Sequence, residues 1–476
     1  MSNTSDRKLS LGSLISLVIG SMIGAGIFTL PSKFGHATGV AGALIAWVIA
    51  GTGMLMLAFV FQTLARRKPE LDAGVYAYAK EGFGNYLGFV SAYGYWVGAC
   101  LADVACLILI KSTLGTFFPI FGDGTTIAAL IGASLILWFV QVLILRGVKQ
   151  AAALNTIATI AKIVPLFIFL GFVVHGFKTD IFALNFWGGE VPDAANIFQQ
   201  VRGTMLLTVF VFVGIEGASV YSRLARNRND IGVATVLGFL GVLSLLVLVT
   251  ILSYGILLRP NLAALRTPSM AGVLGAIVGP WGAALISIGL LVSVLGNYLS
   301  WSLLAAEVMF SAARTHTMPN FLARQNKNEA PAAALWVSNI LIQAFLILAP
   351  FAEYAFKLTL KMTSVMTLVP YLLVAAYGLK LARTGETYDS NPSGRRGDLI
   401  RGAIATIYAA GMIYAGGLRL LLFSAILYAI GSVLFVLARR EQGSTVFAGM
   451  EWLLLGVILM AAVIGVYSLA SGSLSI

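Results

Sequence analysis

Apolar residues in this chain run in long blocks rather than alternating with polar ones. A helix needs about 20 apolar residues to cross a hydrocarbon core. Thirteen blocks approach that length, at 12–31, 40–64, 84–111, 126–145, 153–173, 203–222, 231–257, 280–311, 333–350, 360–381, 400–416, 418–438 and 450–470. The longest interior polar segments, about 312–332 and 382–399, are too small to fold alone. The pattern predicts an all-α polytopic membrane protein with about 13 transmembrane helices. The first block has a basic flank but no small-residue cleavage pattern, so it is expected to stay as a span. The split between the eleventh and twelfth blocks rests on Gly416, Gly417 and Arg419.

Two blocks are interrupted mid-span. The first contains Gly20, Ser21, Met22, Ile23, Gly24, Ala25, Gly26, Ile27 and Phe28; the sixth contains Phe212, Val213, Gly214, Ile215, Glu216, Gly217, Ala218 and Ser219. Unwound backbone survives inside a membrane only where it lines a protected cavity, because hydrocarbon satisfies neither amides nor carbonyls. Discontinuous helices at matching places in two halves point to a transporter's binding site. With the breaks in helices 1 and 6, residues 1–382 form a core of ten transmembrane helices, a 5+5 inverted repeat of about 9–175 and 200–382, and 383–476 add three more. Helix 1 then runs outward and helix 6 inward, as an inverted repeat requires. The three added helices are expected to serve packing or assembly, a homodimer being one form. Most of the 51 glycines are expected to allow close helix packing. The two clusters differ in lying mid-span beside a carboxylate or hydroxyl.

Charge sharpens this picture. The 476 residues are 59% hydrophobic and 11% charged, against about 25% charged in soluble domains. A net charge of +12 would raise nucleic acid as a partner of a soluble protein, but here the basic residues are sorted by loop. With the N-terminus inside, 21 Lys and Arg fall on inner loops, from Arg7 and Lys8 to Arg439 and Arg440, against 6 outside: Lys111, Lys178, Arg259, Arg266, Lys357 and Arg419. This bias predicts a cytoplasmic N-terminus and an external C-terminus, with the lipid bilayer rather than nucleic acid as partner. Cys100 and Cys106 lie six residues apart on one helix, so they cannot bridge and read as small packing residues.

Ionisable groups within spans are costly and default to functional hypotheses. Four qualify: Asp103, Lys162, Glu216 and Glu307. Lys33, Lys111 and Lys361 sit near predicted outer ends, where snorkelling explains them. Glu216 lies in the second break, where it could take a proton, pair with a cation or brace unwound backbone. Asp103 lies two turns from Tyr95, and an acid beside aromatic surface suits a cationic side chain; the alternative is a partner for Lys111 or Lys162. Lys162, before Pro165, could carry a proton or stand in for a bound cation, or else form a lasting ion pair with Glu216, Glu307 or Asp103. Trp301 lies deep in its span and could stack on an alkyl or guanidinium group, with Glu307 further towards the cytoplasm. Phe210 reads as a hydrophobic gate or core packing.

Half-helices starting at a break present unpaired N–H groups that favour anions. A carboxylate is therefore expected at Ile23, Gly24, Ala25 and Gly26, an α-ammonium at the carbonyls of Val213, Gly214 and Ile215, and a side chain reaching towards Asp103 and Trp301. That arrangement fits an amino acid.

These residues resemble the amino acid–polyamine–organocation superfamily, in its basic amino acid/polyamine antiporter branch. The likeness rests on Gly24 to Phe28 with Pro31, Tyr95 and Trp96 with Asp103, Gly214 to Ser219, and Trp301 to Glu307, in that order along nearly the whole chain. The stretch from Pro319 to Trp336, with Asn326, Lys327, Asn328, Pro331 and Leu335, is most similar to the arginine/ornithine antiporters, as are thirteen spans. The resemblance implies a secondary transporter of the bacterial inner membrane exchanging cationic amino acids, arginine for ornithine foremost. Amino acid/amine exchange (lysine/cadaverine, histidine/histamine, tyrosine/tyramine) and proton-coupled uptake remain alternatives. It also implies that Gly24 and Gly26 shape the carboxylate turn, that Tyr95, Phe210, Trp301 and Ser364 line or gate the cavity, and that Glu216 serves coupling or proton sensing. The chain departs from the arginine/agmatine exchangers at Ala25, where they carry a hydroxyl; at Phe210, where they have tryptophan; and at Asp103, where they have asparagine.

An enzyme would need clustered His, Cys or carboxylates at catalytic or metal spacing. His36, His175 and His316 are scattered near predicted loops, so no enzymatic activity, metal or cofactor is expected. A sensor would normally carry a sizeable cytoplasmic output domain, and a channel a repeated filter or ring motif.

Overall fold

The computed structural model describes residues 9–71, 74–189, 193–220, 225–348, 355–389 and 393–472, with only the backbone at 148–156 and 355. Arg7, Lys8, Arg223 and the last residues of the 203–222 and 333–350 blocks lie outside the described residues. The chain is helical almost throughout. Helices α1 (Leu11–Met22) and α2 (Ala25–Ala37) form one bent span, followed by α3 (Val40–Arg67), α4 (Gly74–Phe83), α5 (Asn85–Leu114), α6 (Ile127–Leu145), α7 (Val148–Gly176) and the short α8 (Thr179–Leu184). Then come α9 (Ala194–Phe212), the single turn α10 (Gly217–Val220), α11 (Asn229–Ser253), α12 (Arg259–Ala264), α13 (Ser269–Val278) and α14 (Pro280–Arg314). The last four are α15 (Ala332–Leu348), α16 (Ala355–Thr384), α17 (Arg395–Glu441) and α18 (Met450–Ala470).

Among the described residues ten helices are long and apolar enough to cross a bilayer, and α1 with α2, bent by 41°, makes an eleventh. Two predicted spans fall outside that count for physical reasons. Helix α15 has 17 residues and stops where the described residues stop. Helix α17 has 47 residues, which at 1.5 Å each would be about 70 Å long, more than twice a hydrocarbon core. It therefore folds back, at Gly417 (φ 80°, ψ 161°), the place marked by Gly416, Gly417 and Arg419.

Both ends of α17 are held at one face. At its start the buried Asp398 accepts from Thr63 Oγ1 at 3.1 Å and Tyr388 Oη at 2.9 Å. Arg67 caps the cluster 3.5 Å over the Tyr388 ring. At its far end Glu441 Oε2 accepts from the Asn320 amide at 2.7 Å, and Gln442 Nε2 donates to the His316 carbonyl at 2.7 Å. The same face holds Leu9, whose carbonyl accepts from the Arg226 amide at 2.9 Å.

Helix α5 forms the centre, buried along most of its length between α14, α16 and α15. Around it α3 packs on α11 and α9, α7 on α14 and α1, and α17 on α16 and α3. Small residues set these approaches, as expected where apolar transfer cannot drive helix association. Gly53, for example, faces the Tyr408 ring and Gly431 the Tyr93 ring. Helix α18 lies outermost and stays largely exposed, with Ala462 and Gly465 as its buried positions.

Candidate functional site

The first break forms because helical backbone ends at Met22. Ile23 is extended (φ −80°, ψ 98°), Gly24 follows at φ −144°, ψ −140°, and α2 restarts at Ala25. Gly24 is required by space: a Cβ there would lie 2.2 Å from the Asn297 amide. Ending a helix in a membrane strands its last carbonyls, and side chains from neighbouring helices meet them. Lys162 Nζ donates to Gly20 O at 2.6 Å and Ile23 O at 2.8 Å. Trp301 Nε1 donates to Ser21 O at 3.2 Å. With its amide turned to donate, Asn297 reaches Ser21 O at 2.8 Å and Gly20 O at 3.1 Å. The first amides of α2 have no preceding turn to bond.

The second break has the same logic with other groups. Helix α9 ends at Phe212, Val213 turns to φ −63°, ψ 129°, and Gly214 sits at φ 111°, a conformation that favours glycine. Glu216 is fully buried and braces the turn. Its Oε1 accepts from Tyr95 Oη at 2.5 Å; its Oε2 accepts from the Gly214 amide at 3.2 Å and from Tyr371 Oη. The breaks are joined directly, because Ser21 Oγ donates to Gly214 O at 2.9 Å.

Beside them lies Asp103 on α5, fully buried. Ser302 Oγ donates to its Oδ2 at 2.9 Å, whereas among the described residues Oδ1 has no hydrogen-bond partner. A buried carboxylate oxygen gains from any donor or cation that reaches it. The rings of Tyr95 and Trp301 lie 6.3 Å apart beside the breaks. Phe210 covers Gly26, with ring carbons 3.3 Å from where a Cβ would stand, and lines a cavity of about 370 Å³ on its other side.

The fold thus gathers Ile23, Gly24, Ala25, Gly26, Val213, Gly214, Ile215 and Glu216 with Tyr95, Trp301 and Lys162. Lys162 corrects one expectation: its partners are carbonyls of the first break, not Glu216, Glu307 or Asp103. Lys111, expected to snorkel, is buried. Ser364 donates to Leu206 O and Leu360 O, both at 3.1 Å, and so ties α16 to α9. Glu307 lies two turns beyond Trp301 and accepts from Ser311 Oγ at 3.1 Å. Trp96 turns away, donating to Ser338 Oγ at 2.8 Å. Tyr371, Asn297 and Ser302 are neighbours of the breaks and of Asp103 that sequence reasoning missed. Their signal was weak, since each is one polar group in an apolar span without a visible partner.

A polytopic helical membrane protein with two spans unwound at mid-length and bonded to each other there has the architecture of a secondary transporter. The chain belongs to the amino acid permease family, whose model matches residues 9–459. It is 52% identical over 484 residues to the arginine/ornithine antiporter of Pseudomonas aeruginosa, covering 100% of both chains. It is 43% identical over 485 residues to the L-lysine transport protein of Corynebacterium glutamicum, covering 99% of this chain and 97% of that one. It is 36% identical over 480 residues to the arginine/agmatine antiporter of Chlamydia pneumoniae, covering 99% of each.

Proposed function

We propose that this protein is an antiporter of cationic amino acids in the bacterial inner membrane, exchanging arginine for ornithine by alternating access. The observation that carries the reading is the buried Asp103 carboxylate, whose Oδ1 has no hydrogen-bond partner among the described residues, beside two helix breaks bonded to each other. The substrate carboxylate docks on the α2 amides at Ile23 to Gly26. Its α-ammonium faces the carbonyls of Val213 to Ile215, and its cationic end satisfies Asp103 against the Tyr95 and Trp301 rings. Phe210 gates the site. Glu216, held by Tyr95 and Tyr371, links gate position to protonation. Lys162 occupies the carbonyls that a bound cation would otherwise need.

The names of the relatives support this reading, and so does a correspondence between the two halves. Lys162 of the fifth span holds the break in the first, and Tyr371 of the tenth span holds the break in the sixth. That pairing fits a 5+5 inverted repeat over 9–175 and 200–382, with 383–476 as an added part available for dimer contacts. The basic loops fit a cytoplasmic N-terminus and external C-terminus.

Arginine and ornithine each carry about one net positive charge at neutral pH, so one-for-one exchange is electroneutral. Proteoliposomes loaded with ornithine should take up labelled arginine at a rate indifferent to an imposed potential. No arginine uptake would overturn the reading; strong acceleration by potential would instead favour an amine as the exchanged partner.

A further inference from the structure

Two recognition points of the site are tied to each other by one amide. Asn297 of α14 lies against Gly24, at the centre of the first break, so closely that a Cβ there would stand 2.2 Å from its amide. With its nitrogen turned to Ser21 O and Gly20 O, its oxygen lies 3.3 Å from Cys106 Sγ on α5 and accepts from the thiol. An amide side chain offers donors and an acceptor at one end, so Asn297 serves both neighbours at once. One turn further along α14, Trp301 donates to the same Ser21 carbonyl, and the next residue, Ser302, donates to Asp103. Asn297, Ser302, Asp103 and Cys106 thus close a buried ring, from which the first break hangs. Its sides along α14 and α5 are about 7.5 and 4.5 Å, at a rise of about 1.5 Å per residue.

Such a ring fixes the separation between the amides at Ile23 to Gly26 and the Asp103 carboxylate. A ligand held at both points is read by the number of bonds between its α-carboxylate and its first side-chain nitrogen. Arginine and ornithine share that number, because arginine Nε and ornithine Nδ are both carried on Cδ, three methylenes from Cα. Lysine carries its nitrogen one C–C bond further, about 1.5 Å, and diaminobutyrate carries it one bond nearer. We propose that Asn297 is a positioning residue that sets this spacing, so that Asp103 Oδ1 meets the Cδ-bound nitrogen common to both exchange partners. This role rests on the exchange reading above and deepens it to the atom that both partners present. One fixed site then serves a guanidinium and an ammonium, which differ only beyond that nitrogen.

One methylene more or less in a fitted pocket changes binding about 10- to 200-fold. The test uses proteoliposomes loaded with ornithine and given labelled arginine, with diaminobutyrate, ornithine, lysine, arginine and homoarginine as competitors. In the wild type ornithine is expected to compete at least about tenfold better than lysine or diaminobutyrate, and arginine at least about tenfold better than homoarginine. Asn297→Leu keeps the volume and removes the tie, while Lys162 and Trp301 still hold the break. Both ratios, ornithine over lysine and arginine over homoarginine, should then shrink to about threefold or less. Cys106→Ala loosens the tie from its other end and should move both ratios the same way, whereas Cys106→Ser keeps a donor and should hold them; a residue that served only the fold would leave the ratios alone. Arginine exchange with wild-type ratios below about twofold, or ratios unmoved in both Asn297→Leu and Cys106→Ala, would overturn the spacing role alone. Absence of arginine exchange in the wild type would overturn the transport reading, and the spacing role with it.

Discussion

Replacing Lys162 by methionine keeps a long side chain in place and removes the two hydrogen bonds that the ammonium donates to the first break. Gly20 O and Ile23 O, now bonded at 2.6 and 2.8 Å, would be left in a buried site without the ammonium. Interhelical hydrogen bonds in membranes are worth about 0.6–1.7 kcal/mol each, and charged donors about twice as much as neutral ones. Losing two should disfavour the unwound geometry by about 2–7 kcal/mol, a factor of about 30 or more in its equilibrium with continuous helix. Ligand affinity falls by the fraction of protein that remains competent, so the arginine Kd should rise at least about 30-fold. Global stability should move far less, because methionine also avoids the desolvation cost of a fully buried ammonium. Binding to purified protein in nanodiscs, beside a thermal melt, measures both quantities. A Kd within threefold of wild type would refute the assignment of Lys162 as the holder of the break, and an equal collapse of Kd and melting temperature would reduce it to a folding residue.

Further outcomes are expected at three other positions. Asp103→Asn should weaken arginine relative to citrulline about 10- to 100-fold, the worth of a hydrogen bond to a charged group; an unchanged preference in competition assays would remove Asp103 from the site. Glu216→Gln should flatten the pH profile of exchange with expression retained, whereas an unaltered profile would leave Glu216 a purely structural brace. Gly24→Ala forces a Cβ to within 2.2 Å of the Asn297 amide and should cost about 1–3 kcal/mol of stability; an unchanged melting temperature would contradict the packing at the break.

The breaks were legible in the chain because glycine clusters are conspicuous inside apolar blocks, and because membranes forbid unwound backbone elsewhere. Gly417 was legible for a related reason: two blocks of 17 and 21 residues meet there, and no membrane is thick enough for both in line. Lys162 stood out as a buried charge, yet its partners did not. Carbonyls carry no letter in a sequence, so candidate partners were sought among side chains. Tyr371 and Asn297 were passed over for the converse reason. Each is an ordinary polar residue until the fold brings it beside Gly214 or Ser21. Ser364, to which the family resemblance gives a lining or gating role, bonds the Leu206 and Leu360 carbonyls, partners that no side-chain pattern could announce.

The return of α17 to the face it left has a mechanical meaning. Asp398 pins one arm and Glu441 the other on the Leu9 side, while the bend at Gly417 has nothing packed where its side chain would be. The hairpin is clamped at its feet, and its crown meets α16 and α9 through Gly416, which lies against Val365 and Leu206. The crown borders a cavity of about 610 Å³ through Gly416 and Arg419, so it can lean with α9 and α16 as that cavity widens or narrows while its anchors stay fixed.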